Sequence, residues 1–143
     1  VIQGLITVPS TALVVRLRLL AGALVVAIPL VVAARLTPDP AGLGTHQQLG
    51  LPPCAVRALW GVRCPACGMT TSWAYFVRGQ MVSSAQANPA GALLAALACV
   101  AVVVLMIHAV AGRTPRRGWL AAVAGGMMVV LVIALADWAW RLM

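Results

Sequence analysis

"NPAGALLAALACVAVVVLMIHAVAG", residues 88–112, decides the architecture of this chain. Its interior carries no charged side chain, and it is long enough to cross a bilayer, which takes about 20 residues at 1.5 Å rise over ~30 Å of hydrocarbon. Asn88 is a helix-capping residue type. Pro89 falls at the first helical position, where a missing N–H leaves no hydrogen bond unmade. Two more runs of the same kind flank it, so the spacing predicts transmembrane helices over about residues 13–36, 89–112 and 119–140.

Composition agrees with that reading. Of 143 residues, 63% are hydrophobic and 8% charged, and the mean hydropathy is +1.03. Soluble domains average roughly 45–50% apolar and 25% charged residues. The expected fold is all-α and integral to the membrane: one domain over residues 1–143, with three transmembrane helices and one or two short interfacial or re-entrant helices in the first loop. The first run exceeds a signal peptide's apolar core and is read as a retained helix, kinked at Pro29.

The ten basic residues are all arginine, against two acids, Asp39 and Asp137. They fall mainly at the ends of apolar runs, where they meet headgroups and set topology. Nucleic acid is therefore not an expected partner; the lipid bilayer is. Arg16 and Arg18 share one side with the short loop bearing Arg113, Arg116 and Arg117. Arg35, Arg57, Arg63, Arg78 and Arg141 are spread along the other. Density in short loops orients a membrane protein. The expectation is a bacterial inner membrane with the N-terminus cytoplasmic and the long loop, residues 37–88, outside.

That loop gathers His46, Cys54, Cys64 and Cys67 in "THQQLGLPPCAVRALWGVRCPACGMTT", residues 45–71. Two residues between Cys64 and Cys67 let both sulfurs face one point. With Cys54 and His46 they make four soft donors, the number tetrahedral zinc takes. A disulfide among the cysteines fits an extracytoplasmic loop equally well. A CPxC pair ahead of a helix also has the layout of thiol–disulfide oxidoreductases, although no βαβ pattern surrounds it. A fourth possibility is that these residues only tie the loop to the membrane face. Downstream, "GMTTSWAYFVRG" predicts a short helix in which Thr70, Thr71 and Ser72 supply capping hydroxyls and Trp73, Phe76 and Val77 share a face. "QMVSSAQAN" adds a turn or two before Asn88.

The segment from Gly44 to Pro89 resembles an uncharacterised family, a domain of unknown function found in small bacterial membrane proteins. The resemblance rests on a cysteine, a short gap, then Cys-Pro-x-Cys-Gly-x-Thr, and later Asn-Pro. The matching positions are Cys54, Cys64, Pro65, Cys67, Gly68, Thr70, Gly79, Asn88 and Pro89. Thr71 stands where that family often has arginine and Gln80 where it often has aspartate, so a charged pair the family shares is missing here. The resemblance implies a common fold and joint action of the three cysteines, and names no activity.

Other residues have plainer readings. Cys99 is apolar filler and His108 reaches headgroups near the inner end of its helix. Asp137 and Arg141, four apart, pair on one helix face. Trp60, Trp73, Trp119, Trp138 and Trp140 fit interfacial anchoring. Gly125-Gly126 beside Met127-Met128 points to close helix packing. No nucleophile–base pair, carboxylate pair or phosphate loop is present, so catalysis is not expected. The primary expectation is an accessory or assembly subunit of a larger membrane complex, with other membrane subunits as partners. The alternatives are a protein binding one zinc-type ion at the His/Cys cluster, and a membrane thiol–disulfide oxidoreductase.

Overall fold

The computed structural model describes residues 10–115 and 118–143, all of them helix, turn or loop. In order come α1 (Ser10–Arg35), a 3-10 turn (Thr45–Leu49), α2 (Ala55–Trp60), α3 (Met69–Phe76), α4 (Met81–Ala87), α5 (Pro89–Ala111) and α6 (Gly118–Leu142). Three of these helices, at Thr11–Arg35, Pro89–Ala111 and Gly118–Leu142, are long and apolar enough to cross a membrane. Each lies within a few residues of the span the sequence predicts. Arg116 and Arg117, on which the expected orientation partly rests, lie outside the described residues.

The loop holds more helix than the one or two short pieces expected. α3 and α4 correspond to the two predicted segments, whereas the 3-10 turn and α2 are additional. Both are a turn or two long, too short for a periodic pattern, and both end on a left-handed glycine, Gly50 (φ +76°) and Gly61 (φ +71°). Pro52 and Pro53 separate them, because proline restricts the residue before it and removes a donor.

Burial in the bundle is inverted relative to a water-soluble protein. Apart from Val130 on α6, the buried positions of the long helices are small: Ala23 and Ala33 on α1, Ala90, Gly91, Ala95, Ala98 and Ala109 on α5, and Ala134 on α6. Leu17, Leu24, Val25, Val103, Ile107, Val110, Leu120 and Val132 all face outward. Lipid removes any penalty for exposing leucine, so helices associate through close backbone approach at small residues. α5 is central, packing against α1, α3, α4 and α6. At Gly91 the fit is tight enough that a Cβ would lie 3.0 Å from Ser72 Cβ.

Arginines fasten the ends. Arg78 Nη1 donates to the Ala74 carbonyl at 2.7 Å and to Ala33 at 3.3 Å, and its Nη2 donates to Ala34 at 3.2 Å. The bonds to Ala33 and Ala34 reach carbonyls of the last turn of α1, where helical partners run out, and fix α3 beneath the end of α1. At the opposite end Arg16 lies against Gly112, the left-handed C-cap of α5. The expected Asp137–Arg141 pair is formed, with Nε 2.7 Å from Oδ2.

Candidate metal centre

The loop is held in place by a small polar core. Thr45, Thr71, Ser72 and Ser84 are fully buried and Asn88 is 2% exposed. Ser72 Oγ donates to the Asn88 carbonyl at 2.9 Å, and Ser84 Oγ donates to the Ser72 carbonyl at 2.8 Å. The Thr45 and Thr71 hydroxyls meet at 2.8 Å, and Thr45 Oγ1 also accepts the Asp39 N–H at 3.1 Å. This corrects one expectation. Thr70 does not cap α3, and neither do the fully buried Thr71 and Ser72; Gly68 is its N-cap and no side chain bonds there. The Thr71 and Ser72 hydroxyls turn inward, because α3 is packed under α5 and its first turn is not open to solvent.

Asn88 joins this core to the cysteines. Its Oδ1 accepts the Gly91 N–H at 2.7 Å, the N-cap expected of α5. Its Nδ2 donates to the Pro65 carbonyl at 3.1 Å and to the Cys67 carbonyl at 3.2 Å. One amide thus starts the helix and grips the Cys64–Cys67 turn. Gly68 follows with φ +86°, and a Cβ there would lie 2.7 Å from both the Gly42 and Ala87 carbonyl oxygens. Both the backbone angle and the space demand glycine.

The result is convergence of three sulfurs. Cys54, Cys64 and Cys67 place their Sγ atoms within 4.8 Å of one another. Cys64 and Cys67 are closest, at 3.1 Å, and the Cys64 N–H points at Cys67 Sγ at 3.3 Å. The cysteines are free thiols; the disulfide is not formed. His46 does not join them. It lines the same cavity, of about 250 Å³, but its Nε2 lies 3.2 Å from the Pro52 carbonyl. Sequence spacing makes His46 a donor in reach, whereas the 3-10 turn and the proline pair direct that nitrogen to the backbone. Arg57, Thr70 and Thr71 line the cavity with it.

The environment separates the thiols electrically. The backbone amide of Arg57 lowers the Cys54 pKa below its usual 9.0, helped by hydrogen bonds with Cys64 and Cys67. Burial, followed by the hydrogen bond with Cys64, pushes Cys67 up to about 12. If all three were ionised they would repel one another, and a cation among them would relieve that repulsion.

The tryptophans divide. Trp60 (69% exposed) and Trp140 (76% exposed) are free for an interfacial role, whereas Trp138 Nε1 donates to the Arg63 carbonyl at 2.6 Å and anchors the loop to α6. Trp119 and Trp73 line an apolar crevice of about 450 Å³ between α1, α5 and α6, and Trp73 Nε1 is buried without a partner. Gly79 ends the α3 segment with φ +75° in open space. The sequence motif thus contains both a sterically required glycine, Gly68, and one chosen for its backbone angle alone.

Residues 54–102 match the profile of a family described as a protein of unknown function (DUF2752). The match begins at Cys54 and runs through all three cysteines, α2 to α4 and the first half of α5, leaving His46 outside it. No curated protein and no solved structure matches the chain.

Proposed function

We propose that this is a membrane protein that holds one soft, zinc-class metal ion through Cys54, Cys64 and Cys67. The carrying observation is the approach of three sulfurs within 4.8 Å on a loop of fixed backbone. Thiolate ligands suit zinc and its soft relatives. Three protein ligands beside a cavity leave a fourth position for water or a small ligand, as open zinc sites do. A redox role is not carried by the same observation, since the raised pKa of Cys67 suits a resolving thiol as well as a metal ligand. In this reading the protein acts by holding the ion, and the loop lies on the extracytoplasmic side of the bacterial inner membrane.

The test is metal content and thiol state of the full chain, purified in mild detergent and exposed to zinc or cadmium. The expected result is about one ion per chain, with three thiols protected from alkylation. Cys54→Ser lowers the content, while Cys99→Ser, on α5, leaves it unchanged. Wild-type protein that binds no ion under reducing conditions, or equal loading of Cys54→Ser, overturns the proposal.

A second reading, the accessory subunit, is favoured by α6. Its backbone approaches that of α5 alone among the helices. Gly126 meets Leu97 while Gly125 faces open space, the surface a neighbouring membrane helix would use. Crosslinking from Cys substituted at position 125 tests it; crosslinks to lipid alone would end that reading.

A further inference from the structure

A second site lies on the same end of the molecule, around Arg63. Among the described arginines, Arg63 is the one not classed as exposed. Among the described residues its guanidinium makes no hydrogen bond and no ion pair, and its backbone carbonyl alone is engaged, by Trp138. The two acids of the chain are committed elsewhere. Asp137 pairs with Arg141 at 2.7 Å, and Asp39 Oδ1 accepts the Ala41 N–H at 2.8 Å. The guanidinium instead borders a polar pocket of about 340 Å³, lined also by Tyr75, Ser83, Gln86 and the backbone of residues 40–42. Arg141 reaches the rim, its Nη2 donating to the Gln86 carbonyl at 3.3 Å, and its charge acts against that of Arg63.

A partly desolvated cation beside a second cation, whose one nearby carboxylate, Asp137, is bonded to Arg141, has no carboxylate bonded to it. Removing a charge from water is costly unless an opposite charge accompanies it. A guanidinium's planar fork matches the oxygens of a phosphate, and the hydroxyl of Ser83 can bond a further oxygen, while Tyr75 Oη donates to the Asp39 carbonyl at 3.4 Å. The pocket lies beside the end of α6 marked by Trp138, Trp140 and Arg141, the residue types that gather where phospholipid phosphates lie. We propose that the Arg63 pocket binds a phosphate-type oxyanion, the group carried by anionic phospholipid headgroups and by free phosphate. Arg63 precedes Cys64 in the chain and feels the charge of Cys67, but its pocket shares no lining residue with the cavity beside the cysteines.

The experiment uses the full chain in nanodiscs of phosphatidylcholine, with and without phosphatidylglycerol, and in a parallel arm with inorganic phosphate. Native mass spectrometry counts retained phosphatidylglycerol, and phosphorus NMR line broadening reports bound phosphate. Wild type is expected to retain one of the two about tenfold more strongly than Arg63→Gln, the loss expected for charge-assisted hydrogen bonds. Arg63→Lys should be intermediate and Arg18→Gln, at the opposite end of α1, unchanged. Trp138 bonds the backbone of Arg63, so these substitutions leave that anchor in place; unchanged helical circular dichroism verifies it. Loss in the lipid arm identifies a headgroup site and loss in the phosphate arm a free-ion site. Equal retention by wild type and Arg63→Gln, or retention of neither ligand by wild type, overturns the proposal.

Discussion

At the scale of single residues, the thiols are close in space and unlike in acidity. Thiolate is the reactive form, and below its pKa its fraction grows tenfold per pH unit. Cys54, whose pKa is lowered, therefore carries more thiolate at neutral pH than Cys67, pushed up to about 12. In metal-free protein at pH 7–8, iodoacetamide should modify Cys54 well before Cys67, an order that peptide mass spectrometry reads directly. Binding an ion must expel these protons, so acidification releases it. Cys67, a stronger base than Cys54, takes its proton back before Cys54 does. The convergence of the three cysteines was legible from spacing. The exclusion of His46 Nε2 was not, because it depends on where a five-residue 3-10 turn aims one ring.

At the scale of elements, the long helices could be read from apolar length alone, and their ends from Asn88-Pro89 and the flanking glycines. The short ones could be read only in part. α3 and α4 announce themselves by turn residues on either side, whereas α2 is six residues wedged between prolines and Gly61. The glycines around these pieces differ in what they tolerate, and comparison of two of them tests the packing. Gly68→Ala adds the strain of a positive φ and drives a Cβ to 2.7 Å from two carbonyl oxygens, while Gly61→Ala meets nothing within 4 Å. Gly61→Ala should cost about 1 kcal/mol, the price of the left-handed angle. Gly68→Ala should cost several times that and lower metal content, since the Cys64–Cys67 turn must shift. Thermal unfolding in detergent, with metal analysis of each variant, measures both effects. Equal melting temperatures for the two would contradict the tight junction.

At the scale of the whole molecule, the three apolar helices present leucine, valine and isoleucine outward and bury mainly alanine, while the short helices of the loop bury serine and threonine. Sequence reading gives the first half of that statement through hydropathy. It does not give the buried network of Ser72, Ser84 and Asn88, since a serine in a loop looks the same whether it is wet or dry. The orientation proposed for the loop has its own measurement. A membrane-impermeant maleimide, applied to sealed vesicles with the extracytoplasmic face outward, should label Cys54 without detergent and leave Cys99, on α5, unlabelled. Labelling of Cys54 only after the vesicles are opened would reverse the topology.

Asn88 also fixes a sequence of events during synthesis. Chains emerge N-terminus first, so Cys54, Cys64 and Cys67 leave the ribosome before the amide that holds the carbonyls of Pro65 and Cys67. That amide is set in turn by the Gly91 N–H, which is fixed only once α5 has begun to wind. The thiol turn therefore cannot be completed while it is the newest part of the chain; it waits for the second long helix to enter the bilayer. During that interval the cysteines are unprotected, so oxidation of the nascent chain would compete with the proposed metal loading of the finished one.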